Sequence, residues 1–140
     1  MKKTITAILI CTLAFVLVLT GCNIFGGGKV SDVKTRQVAS DIYSEKDIEK
    51  AIAVIKKEFK SWSGCELKEI YYAGDDVSAD HQEFADRFGA DEVLVLLSTF
   101  SVDSSGGDGS LDPNSTYDGW KWILVRNQGG SWKHVDHGYG

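Results

Sequence analysis

Residues Ile48, Ile52, Ile55, Phe59 and Trp62 recur at spacings of four, three, four and three, and that rhythm constrains the chain more than any other feature of it. At about 100° per residue, such spacing sets all five side chains on one face of an α-helix. A helix so biased needs a broad apolar surface to lie against. Its start is marked as well. Ser44 can cap the first turn, Asp47 three residues later completes an acidic variant of the capping box, and Tyr43 can staple to Ile48. Gly64 supplies the stop. Lys46, Glu49, Lys50, Lys56, Lys57 and Lys60 form the solvated face.

The surface that this helix requires is supplied downstream. Residues 66–73 alternate as a strand does, and Gly74, Asp75 and Asp76 turn the chain. A short helix over roughly residues 79–88 follows, capped by Ser78 or Asp80 and closed by Gly89, with Phe84, Ala85 and Phe88 inward. The run VLVLL within residues 92–102 fits a central strand covered on both faces. Residues 120–126 and 131–137 read as two strands joined through Asn127, Gln128, Gly129 and Gly130, a hairpin signature. The order helix, strand, helix and three strands predicts an α+β arrangement, with the long amphipathic helix packed on a curved, mostly antiparallel sheet of about four strands.

The chain opens MKKTITAILICTLAFVLVLTGC, with Lys2 and Lys3 ahead of an uncharged apolar run and small residues before Cys22. Residues 1–21 therefore read as an export signal. The apolar run falls short of the roughly 20 residues that a spanning helix prefers. Leu19, Thr20, Gly21 and Cys22 resemble the lipobox of bacterial lipoproteins. The resemblance implies cleavage before Cys22, a diacylglyceryl thioether on its sulfur with palmitate-type acyl chains, and a place on the extracytoplasmic face of the cell membrane. Two or three acyl chains anchor a soluble domain far more firmly than one. Residues 22–40, with three consecutive glycines after Phe25, are expected to be the lipidated cysteine and a flexible tether. Residues 41–140 are then left for one small domain.

Cysteine and charge narrow the function classes. Cys11 leaves with the signal and Cys22 carries lipid, so Cys65 has no disulfide partner in the mature chain. Without Lys2 and Lys3, 13 basic residues face 20 acidic ones, a formal charge of −7. From Gly74 onward the balance is 12 acidic to four basic residues. That distribution argues against nucleic acid as a partner, since nucleic-acid binding wants a basic stripe.

The element order and the closing stretch WKWILVRNQGGSWKHVDHGYG resemble the cystatin-like architecture of the nuclear transport factor 2-like superfamily, in particular its small exported lipoproteins. The resemblance runs over residues 43–139 and implies a curved sheet wrapped around a long helix to make a cone. Enzymes of that superfamily use acids, histidines and tyrosines inside the cone, but none of their motifs aligns here.

Three candidate sites stand out. The stretch SVDSSGGDGSLDPNSTYDGWKW carries Asp103, Asp108 and Asp112, the residues that an irregular calcium cage would use. As an EF-hand-like loop it fails at two liganding places, held by Gly106 and Ser115; local side-chain turns are the simpler reading, and the lip of a pocket is the next. His134 and His137 lie three apart, and strand alternation sends them to opposite faces, so a shared metal would require the strand to bend or end there. Trp62, Tyr71, Trp120 and Trp122 are the candidate pocket residues, with Trp120 and Trp122 on one strand face; such a set forms either core or an aromatic wall. No nucleophile motif, phosphate-cradling loop or CxxC pair is present, and no cofactor is expected. The sequence thus predicts a lipid-anchored, non-catalytic module that binds a small ligand or an envelope protein; a small enzyme using the cone interior and a calcium-dependent adhesion or stability module are the alternatives.

Overall fold

Ser44 Oγ accepts the Asp47 amide while the Asp47 carboxylate accepts the Ser44 amide, and this reciprocal box starts helix α1, Glu45–Phe59, in the computed structural model, which describes residues 27–139. The export signal expected over residues 1–21 and the lipobox-like residues Leu19, Thr20, Gly21 and Cys22 lie outside the described residues. Ala51, Ile52, Ile55 and Phe59 are buried along one stripe of α1. Each large side chain in that stripe contributes on the order of 1.5–3 kcal/mol by leaving water. Trp62 follows in the turn after the helix, half-buried against the same core.

The sheet that receives α1 has five strands rather than four: β1 Lys34–Arg36, β2 Cys65–Tyr72, β3 Glu92–Val102, β4 Thr116–Arg126 and β5 Lys133–Gly138, side by side in that order. β1 runs parallel to β2, and the remaining pairs are antiparallel. β1 escapes sequence reading because all three of its residues are exposed and carry no apolar alternation. Residues 28–36, expected within a flexible tether, instead make backbone bonds to the domain. Gly28 N–H donates to Lys60 O, Lys29 N–H to Cys65 O, and Lys29 bridges Glu66, so the chain joins the domain from its first described residues onward. Farther on, the Asp75 carboxylate ties residues 40–41 down, accepting from Ser40 Oγ, the Asp41 amide and Tyr72 Oη.

Val93, Leu94, Val95 and Leu96 are all buried, because β3 is covered on both faces. Leu94 and Leu96 meet the α1 layer with Ile70, Tyr72, Phe100, Trp122 and Leu124. Val93 and Val95 meet Ala85, Ile123 and Val125 on the other side. That second face is covered by two short helices, α2 Asp75–Ala79 and α3 Gln82–Arg87, instead of the single helix expected over residues 79–88. The break has a backbone cause. β2 pairs with β3 only as far as Leu96, and the free groups of Val95 beyond it are taken by Ala73 N–H and by the buried Ser78 Oγ. An unpaired buried backbone group is costly, so α2 is placed to deliver Ser78 to that point. None of the described helices is long and apolar enough to cross a membrane.

Candidate ligand cleft

The C-terminal end of α1, the starts of β2 and β4, and the ends of β3 and β5 all meet at one end of the sheet, and there they leave an open cleft of about 560 Å³. Trp62, Trp120 and His137 line it with their rings, Cys65 and Leu111 add apolar surface, and Ser61, Ser63, Asp108 and Ser110 add polar groups. The volume falls within the range of small-molecule sites.

The rings behind the walls are mutually braced. Trp62 meets Trp120 edge-on at 6.1 Å and Trp122 at 4.9 Å, while Trp120 packs against Tyr117 and Tyr139. Edge-to-face arrangements at these separations are the favoured ones for aromatic quadrupoles. Of the four aromatic residues singled out from sequence, Trp62 and Trp120 reach the cleft. Trp122 lies beneath them, fully buried, with its indole N–H on Ser98 Oγ. Tyr71 is elsewhere, under the guanidinium of Arg36 at 3.6 Å. The indole N–H of Trp120 is buried without a partner, the one such side-chain atom among the described residues. An unmet donor of this kind costs about 1–3 kcal/mol.

The acidic loop between β3 and β4 is both a set of turns and a lip. Asp103 accepts from the amide and hydroxyl of Ser105, and Asp108 does the same with Ser110. These serines hold both carboxyls below the usual carboxylate range. Asp112 contributes its backbone N–H to Tyr117 Oη at 3.0 Å. Among the described residues no three His, Cys, Asp or Glu side chains converge to hold a metal. Gly106, at φ +72°, folds the loop back so closely that a Cβ would stand 2.7 Å from Leu111 O. This contact brings Leu111, Asp108 and Ser110 over the cleft.

Burial pushes the Cys65 thiol up, and the Asp103 and Asp108 carboxylates add to the shift, so the thiol stays protonated at neutral pH. Burial and the neighbouring His137 push His134 down. The third histidine, His81, has its Nδ1 on Val77 O and lines a second, smaller cleft with Asp136 and His137. Sequence reading missed Leu111, Cys65 and His137 as lining residues. Only the return of the loop and the kink in β5 bring them together, and neither leaves a periodic signal.

Compared with protein-family models, curated proteins and solved structures, the chain matches none.

Proposed function

We propose that this chain is a lipid-anchored, extracytoplasmic binding module whose cleft takes a small, flat, partly apolar molecule, with the domain held as a cystatin-like cone of sheet around α1. The observation that carries the reading is the pair Trp62 and Trp120. Both are half-buried, and both give ring surface to an open cleft instead of closing over it. An indole face offered in a concavity, with a second ring standing edge-on beside it, suits a planar guest, and the serines and Asp108 suit polar substituents on it.

The tether supports a membrane-facing position. If Cys22 carries lipid, five residue steps separate it from Gly27, a reach of at most about 18 Å. Gly28 is fastened to the last residues of α1, beside Cys65 and hence beside the cleft. The cleft end of the domain is then held near the bilayer, where amphiphilic molecules concentrate.

A neutral planar probe, naphthol, titrated into the full-length protein in micelles tests the reading through the indole resonances of the four tryptophans. Saturable shifts at Trp62 and Trp120, with Trp132 unmoved, are expected. Equal shifts at all four, or none, would overturn it.

A further inference from the structure

His134 and His137 are three residues apart on β5, and an undistorted strand would turn them to opposite faces. The register shows why they are not so placed. Asp136 pairs with Ile123 and His134 with Leu124, so Val135 is an extra residue against a continuous β4. This is a β-bulge, the device by which a strand re-aims a side chain. It brings His137 Nδ1 to 3.2 Å from His134 Nε2, with the two rings stacked at 5.2 Å. Both rings also lie against Trp122, at 5.4 and 5.3 Å, and Trp62 stands 5.0 Å from His137. The bulge carbonyl belongs to the same group: Asp136 O is 3.1 Å from His134 Nε2.

We propose that His134 Nε2 and His137 Nδ1 form a two-imidazole site for a divalent late first-row transition-metal ion, with the Asp136 carbonyl oxygen as a third donor. Imidazole nitrogens bind such ions at about 2.0–2.1 Å, which puts two neighbouring ligands about 2.9–3.4 Å apart across tetrahedral to square geometries. Both the nitrogen pair and the nitrogen–carbonyl pair fall in that window. Nitrogen and carbonyl donors in a partly open sphere suit Cu2+ or Ni2+, and the general order of affinities makes Cu2+ the tightest binder. The Asp136 carboxylate is turned to the His137 amide at 2.9 Å and takes no part.

Without metal, a single proton closes the pair. Asp136 O can only accept, so His134 carries its proton on Nε2 and shares it with His137 Nδ1. Metal binding moves that proton to His134 Nδ1, leaving a lone pair on each facing nitrogen. No third side chain of His, Cys, Asp or Glu joins the pair among the described residues. The other coordination positions are therefore left to water or to a donor atom of a bound molecule, and His137 lies on the wall of the cleft.

Cu2+ titrated into the full-length protein in micelles, carrying no polyhistidine tag, tests this through tryptophan fluorescence and electron paramagnetic resonance. The expected result is saturable quenching at one Cu2+ per chain, with hyperfine structure from two imidazole nitrogens. His137→Gln, at an exposed position, is expected to leave one nitrogen and to weaken binding by more than the roughly 10–100-fold typical of losing an outer-shell partner. His134→Gln is expected to behave alike, and His81→Gln to change nothing. Absence of saturable binding, or two-nitrogen structure persisting in His137→Gln, would overturn the site.

Discussion

Trp122 Nε1 donates to Ser98 Oγ at 2.8 Å, with both side chains sealed from solvent, while Trp120, directly opposite Ser98 in the β3–β4 register, keeps a buried Nε1 with no partner. One hydroxyl thus serves the core indole and leaves the cleft indole unmet. The unmet donor sits beside the proposed binding surface, a pattern expected where stability has been given up for a site.

Ser98→Ala removes the acceptor of the core indole and leaves that donor buried. Urea unfolding is expected to show a loss of about 1–3 kcal/mol. Trp120→Phe deletes a donor that has nothing to lose, so it is expected to cost less than Trp122→Phe, which also strands Ser98.

Arg126 holds the far end of the domain together. Its guanidinium bonds Asp47 at 2.9 Å and Glu92, and lies 4.2 Å from the Trp132 ring centroid. The Arg126 side chain is only 9% exposed, whereas Asp47 and Glu92 are about a quarter exposed. Water therefore screens part of the loss, and Arg126→Ala is expected to destabilise by about 2–3 kcal/mol, below the value for a fully buried pair. Arg126→Lys is expected to restore little of it, since an ammonium cannot fork between two carboxylates and stack.

The same contact gives an acid dependence. Arg126 holds the Asp47 carboxyl below its ordinary value of 3.8, with Ser44 adding to the shift. A carboxyl depressed by folding stabilises fully above its unfolded value and loses that contribution as pH falls through the lower folded value. Urea midpoints measured between pH 6 and pH 2 are expected to fall across that window, and to fall less in Arg126→Ala. Equal slopes in the two proteins would count against the assignment.

Much of the fold was legible in the sequence because it rests on periodicity. Ile48 to Phe59 and the capping pair Ser44 and Asp47 announce α1, and residues 92–102 match β3 at both ends. What escaped has no period. β1 is three exposed residues, recognisable only by the strand it pairs with. α2 starts earlier than expected, at Asp75, and sets Ser78 Oγ on the amide of Val95, 17 residues away. In the cleft, Trp62 and Trp120 could be named from composition and spacing, but Leu111 arrives through the turn at Gly106 and His137 through the bulge at Val135. Both depend on backbone geometry that residue type alone does not encode.

Gly28 tests how residues 27–30 are held to the domain. A Cβ there would stand 1.9 Å from Phe59 O and 2.9 Å from the Phe59 ring, so Gly28→Ala is expected to detach residues 27–30 from α1. Hydrogen exchange at the Gly28 and Lys29 amides, bonded to Lys60 O and Cys65 O, reads this directly. In vesicles, a fluorophore at Ser110 is expected to be quenched by headgroup-labelled lipid, and one at Gln128, at the opposite end of strands some 36 Å long, is not. In Gly28→Ala that difference should shrink.

The most direct measurement is native mass spectrometry of the full-length protein extracted from its own host in mild detergent, compared with Trp120→Ala prepared in parallel. The predicted result is a small organic molecule retained by the wild-type chain, distinct from any covalently attached acyl chain, and lost from Trp120→Ala. A bare wild-type mass, or the same molecule held equally by both proteins, would contradict the cleft as the working site.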